Sequence, residues 1–84
     1  MKHTVVWSRG ADAALLSMYL DAIDKNELSD ACNRIERALK MQPEYCGQPH
    51  GSLFVYVVDP LRVYFELSVN DRMVRIVVVE RLDH

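Results

Sequence analysis

The residues of this chain are sorted along its length by structural preference. All six alanines lie between positions 11 and 38, while nine of the eleven valines lie beyond position 50. Alanine has the highest helix propensity and β-branched valine favours the pleated sheet, so helices come first and strands follow. With 84 residues there is room for one hydrophobic core. Residues 1–84 therefore form a single domain of the α+β class, with helices gathered on one face of a sheet.

The local signals fill in that order. Thr4, Val5, Val6 and Trp7 make a short β-branched and aromatic run, consistent with an opening strand that joins the later sheet, and Ser8 offers a helix N-cap. Ala11, Leu15, Met18, Tyr19, Ala22 and Ile23 recur at three and four residues, which predicts a helix over about 9 to 25 with one apolar face. Asp24 and Glu27 have the spacing of a capping box, and Leu28, Ala31, Cys32, Ile35 and Leu39 continue as a second apolar stripe to about Lys40. Pro43 ends that helix, leaving the two helices as an antiparallel hairpin and 42–51 as loop.

From Ser52 the period becomes two, with strands expected at 52–58, 61–68 and 73–79. A two-residue turn at Asn70 and Asp71 pairs position i with 141 minus i. Phe65 then faces Ile76, Val63 faces Val78, and Glu66 faces Arg75. This register sends Leu61, Val63, Phe65, Leu67, Val74, Ile76 and Val78 toward the helices. Arg62, Tyr64, Glu66, Arg75, Val77, Val79 and Arg81 point the other way, and that second face is where a functional surface belongs.

Ten Lys and Arg against twelve Asp and Glu give a formal charge of -2 and a pI near 5.8. No global positive field draws the chain to polyanions, so any nucleic-acid contact rests on a local patch. No apolar run reaches the roughly 18 residues needed to span a bilayer, and the opening residues lack a secretory h-region. The expectation is a cytoplasmic protein that does not enter membranes, with Cys32 and Cys46 as reduced thiols. Cys46 and His50 are two potential metal ligands, well short of the four a structural zinc site uses. No glycine pattern resembles a phosphate cradle, so neither a metal nor an organic cofactor is expected.

The run Thr4 to Trp7, the helix pair, the segment Pro60-Leu61-Arg62-Val63-Tyr64-Phe65-Glu66-Leu67 and the following Asp71-Arg72-Met73-Val74-Arg75-Ile76-Val77-Val78-Val79 together resemble the RelE/ParE superfamily of bacterial toxins. The resemblance covers essentially the whole chain. It implies an N-terminal strand, a helix hairpin and a small antiparallel sheet completed by a C-terminal three-stranded meander. It also implies the toxin of a type II toxin–antitoxin module, neutralised by a cognate antitoxin. Members of that superfamily either cleave mRNA on the ribosome or inhibit DNA gyrase, and both activities stay open here, as does a homodimer.

Carried over by residue, Arg62 matches the strand arginine that grips the scissile phosphate in the RNA-cleaving members. Arg81 lies near the position of their second arginine; no tyrosine aligns with the late Tyr or His that supplies their proton, and His84, the last residue, is the stand-in for it. Tyr64, beside Arg62, is placed to stack an unpaired base, and Arg75 adds positive charge on the same face unless Glu66 neutralises it. An arginine fork suits the crowded oxygens of a phosphorane, while attack by a neighbouring 2′-hydroxyl needs a base and an acid besides. The chain departs from the pattern at that point. Residues 52–58 carry no Lys or Arg, so a basic group before Arg62 is missing. Two readings follow: an mRNA endoribonuclease with weakened chemistry, and a binding module acting by protein contact alone.

Overall fold

Ser8 marks the change from strand to helix. A computed structural model of the chain describes residues 2–82. Strand β1 spans Thr4–Trp7 and helix α1 spans Arg9–Asp21. The Ser8 hydroxyl accepts from the Ala11 amide at 3.1 Å, satisfying one of the amides that a helix start leaves unpaired. Helix α2 spans Lys25–Met41, and the Asp24 carboxylate accepts from the amides of Asn26 and Glu27.

That cap also corrects the expected end of α1. Asp24 must adopt extended backbone to cap α2, and Ala22 has already left the helical region at ψ 136°. The helix therefore stops at Asp21 rather than near 25. Ile23, expected in the core, sits in the link with 104 % of its reference area exposed.

The segment 42–51, expected as loop, contains two more elements. Pro43 opens a helical turn, α3 (Pro43–Cys46), at a position where its missing N–H costs nothing. Gln48–His50 then forms a short edge strand, β2, where Pro49 is tolerated for the same reason. Strands β3 (Leu53–Val58), β4 (Leu61–Ser68) and β5 (Met73–Arg81) complete a sheet of order β1-β5-β4-β3-β2. The sheet is mixed: β1 runs parallel to β5, and the other pairs are antiparallel.

The β4–β5 register holds as expected near the turn, with Phe65 opposite Ile76 and Glu66 opposite Arg75. Beyond Phe65 it slips by one residue. Tyr64 pairs with Val78 and Val63 with Val79, leaving Val77 as the extra residue of a β-bulge. Ser8 holds the bulge in place, since its hydroxyl donates to the Val77 carbonyl at 3.3 Å and its amide to the Ile76 carbonyl at 2.8 Å. The expected pairing of Val63 with Val78 is thus replaced, and the two valines exchange faces. Val79 is 5 % exposed in the core and Val78 is 41 % exposed outside it.

The core lies between the helices and one face of the sheet. Leu28, Ile35 and Leu39 from α2 meet Leu61, Val63, Phe65, Val74, Ile76 and Val79. Phe54 stacks on Phe65 with ring centroids 5.6 Å apart. Among the described residues the opposite face of the sheet carries no helix, and its side chains, Arg62 and Tyr64 among them, are half-buried to exposed.

Candidate functional site

Side chains directly opposite one another in a ladder share a face, so the register assembles the open surface. Arg62 lies across from Val57 on β3 and Glu80 on β5, and Tyr64 lies across from Val55 and Val78. Arg62 Nε donates to Glu80 Oε1 at 3.0 Å, and its Cζ is 5.9 Å from the Tyr64 ring centre, close enough for a cation–π contact. On the far side, the His50 ring centre is 5.3 Å from that of Tyr64. Glu80, Arg62, Tyr64 and His50 therefore form a continuous row from β5 to β2. The hydrogen bond that Arg62 donates to Glu80, and then the charge of that carboxylate, make the Arg62 guanidinium hold its proton more firmly than usual.

The row differs from the residue set expected from sequence. The bulge puts Arg81 opposite Leu61, on the side of the sheet that faces the helices, so Arg81 does not share a face with Arg62. Glu80 occupies the place beside Arg62 that the expected register left to Val79. Arg75 is on the open face, exposed and across from Glu66. These two do not form the structural ion pair expected of them; among the described residues the close pairs are Arg62–Glu80 and, with His3 protonated, His3–Glu44 at 3.7 Å. His84 lies outside the described residues. Tyr64 is half-buried with its ring held between Arg62 and His50.

Glu80 and His50 are the two members that sequence reasoning passed over. His50 followed Gln48-Pro49 in what read as loop, and only its ladder partner Leu53 shows that it is strand. Glu80 was hidden by the uninterrupted Val77-Val78-Val79, which conceals the slip in phase. In chemical terms the row contains a carboxylate, a guanidinium, a phenol and an imidazole. It thus supplies a fixed cation flanked by groups able to accept and donate protons.

Two other features are separate from the row. A cleft of about 370 Å³ lined by His3, Gln42, Glu44 and Arg72 lies near the β4–β5 turn. Helix α1 is apolar on its outer side too, where Leu16 is 60 % and Leu20 is 74 % exposed, and Ile23 in the link beyond it is exposed as well. Cys46 and His50 are not joined by further ligands; among the described residues no three His, Cys, Asp or Glu side chains converge. Among the described residues no helix is long and apolar enough to cross a membrane.

The sequence matches no family model and no curated protein. Solved structures do match. A chain of the RelBE2 toxin–antitoxin complex from Mycobacterium tuberculosis superposes with a TM-score of 0.81 at 16% identity, covering 96% of this chain and 92% of that one. A chain of the chromosomal ParDE toxin–antitoxin system from P. aeruginosa gives 0.73 at 15% identity, covering 98% of each. The isolated E. coli RelE toxin gives 0.67 at 6% identity, covering 98% of this chain and 86% of that one. With nearly the whole chain superposed on chains of RelBE and ParDE structures and on the isolated RelE toxin, this protein has the RelE/ParE toxin fold.

Proposed function

We propose that this chain is the toxin of a two-gene toxin–antitoxin module and that it cleaves RNA at the row Glu80–Arg62–Tyr64–His50. The observation that carries the reading is the convergence of these four side chains on the open face of the sheet. Arg62 grips the scissile phosphate, and Tyr64 stacks a neighbouring base, a contact worth about 1–3 kcal/mol where it is made. A 2′-hydroxyl then attacks the adjacent phosphorus, its proton leaves to a base, and the bond to the 5′-oxygen breaks as that oxygen takes up a proton. The products are a 2′,3′-cyclic phosphate and a 5′-hydroxyl. His50 is the proton-transfer group of this row, since imidazole is the side chain that most readily exchanges a proton near neutrality. Arg75, exposed on the same face, is a further candidate to hold the RNA as it leaves the row.

The partner is an antitoxin. Leu16 and Leu20, one turn apart on the outer side of α1 and followed by the exposed Ile23 in the link, suit an amphipathic helix laid along α1. A second reading, action by contact on gyrase or another protein, is favoured by the apolar flank of the row, where Val57 is 49 % and Val78 41 % exposed.

Induced expression combined with 5′-end mapping of cellular RNA separates the readings. Growth arrest with new cuts that vanish in Arg62→Ala supports cleavage. Arrest with intact RNA moves the assignment to the contact reading, and normal growth with intact RNA rejects both.

A further inference from the structure

A carboxylate hydrogen-bonded to the arginine meant to hold a phosphate looks counterproductive, because its charge repels the same anion. The geometry resolves this. Glu80 engages Arg62 through Nε, on the side edge of the guanidinium, so this bond does not use the terminal fork of Nη1 and Nη2. That fork is the edge that accepts two phosphate oxygens side by side. Tyr64 limits the guanidinium from another direction at 5.9 Å. Two contacts in different directions fix the plane of a side chain that would otherwise sample several rotamers, each lost on binding.

The placement of Glu80 is itself constructed. Without the bulge at Val77, Arg62 would stand opposite Val79, which has nothing to offer a guanidinium; with it, Arg62 stands opposite Glu80. The Ser8 hydroxyl and amide that fasten the bulge come from the junction of β1 and α1. From this we infer that Glu80 is a positioning residue: it orients Arg62 so that the terminal fork of the guanidinium faces a phosphodiester. The inference rests on the RNA-cleavage reading above.

Two substitutions of equal charge isolate orientation from electrostatics. Glu80→Gln and Glu80→Ala both remove one negative charge, but only Gln keeps an oxygen to accept from Nε–H. The probe is a fluorescein-labelled, 2′-O-methylated oligoribonucleotide, which binds without being cut. Positioning requires Glu80→Gln to bind at least as tightly as the unmutated protein, and about 10-fold or more tightly than Glu80→Ala, the order seen when a supporting partner of a ligand is removed. In an Arg62→Lys background, where no Nε–H side edge exists, the difference between Gln and Ala should vanish. Equal affinities for Glu80→Gln and Glu80→Ala would overturn the inference and leave Glu80 as a charge mask.

A second readout does not depend on RNA. The Arg62 Nε–H resonance should be protected from solvent exchange in the unmutated protein and in Glu80→Gln, and exchange rapidly in Glu80→Ala. Unchanged protection in Glu80→Ala refutes positioning. Failure of the underlying reading looks different: Arg62→Ala would then bind the oligonucleotide as well as the unmutated protein, while the exchange test still decides the role of Glu80 toward Arg62.

Discussion

The slip at Val77 decides which valine is in the core, and two single substitutions read it directly. Val79 is 5 % exposed and packs with Val63. Replacing it by Ala removes two carbon groups at about 0.8 kcal/mol each, and the incompletely refilled cavity brings the loss to about 2–3 kcal/mol. Val78 is already 41 % exposed and leaves no enclosed cavity, so Val78→Ala should cost under about 1 kcal/mol. For a domain of this size about 4–8 °C of melting temperature accompanies each kcal/mol. Val79→Ala should therefore melt roughly 8–24 °C lower, with Val78→Ala within several degrees of the unmutated protein. Urea denaturation with a common m-value is the assay, since a changed slope would signal loss of two-state behaviour. Without the bulge the two costs would be exchanged. If Val78→Ala proves the more damaging, the register continues unbroken, Arg81 returns to the face of Arg62, and the row with Glu80 does not exist.

Three further outcomes follow from the packing. Ser8→Ala removes both the acceptor for the Ala11 amide and the donor to the Val77 carbonyl, so it should cost about 1–2 kcal/mol in denaturation, the upper part of the range for a lost cap. Gly47→Ala places a methyl 2.5 Å from Phe65 Cζ and 2.9 Å from Phe54 Cβ; because the stacked rings cannot both retreat, it should destabilise by about 1–3 kcal/mol, measurable in the same assay. The Cys32 thiol is pushed up to about 11 by burial and, secondarily, by Glu36. Its protonated form is favoured by folding, so its contribution is whole below an ordinary thiol value of 9.0 and is lost as pH rises through about 11. Disulfide exchange with a chromogenic reagent at pH 8 should accordingly be slow at Cys32 in the native protein and fast in denaturant.

The fold was legible wherever one residue type carries a local mechanism. Ser8 and Asp24 cap the helices they were expected to cap, and the pairing of Phe65 with Ile76 follows from the turn after Ser68. What escaped notice depends on distant neighbours. Ile23 fits the periodicity of α1, yet the demand of the next helix for an extended Asp24 removes it from the stripe. Gln48-Pro49-His50 has no strand signal of its own and becomes strand only because Leu53 to Val55 present a free ladder edge. The bulge was invisible because Val77, Val78 and Val79 are chemically identical: a one-residue slip in period two leaves no trace when three consecutive side chains are the same. Of the site, Arg62 and Tyr64 were legible as neighbours on one face, whereas Glu80 and His50 required the register and the edge strand.

That hidden slip links the stability of the core to the character of the open face. With period-two pairing throughout β5, burial of Val78 would place Val79 and Arg81 outside and give Arg62 a second arginine as its near neighbour. Like charges on one face attract an anion strongly but leave each guanidinium free to choose its own orientation. The bulge instead buries Val79, turns Arg81 to the other side of the sheet and brings a carboxylate to Arg62. Some anion affinity is given up, and a defined direction is gained for one fork. A mildly acidic chain with formal charge -2 has little long-range attraction for RNA to lose. On the proposed RNA-cleavage reading, selectivity among phosphodiesters rests on the short-range geometry at Arg62, so binding should depend less steeply on salt than that of a basic chain making several phosphate contacts. A slope of log K against log salt near that of one or two neutralised phosphates, about -0.7 each for single strands, is the expected result; a slope several times steeper would show that a wider cationic surface, with Arg75 in it, carries the RNA.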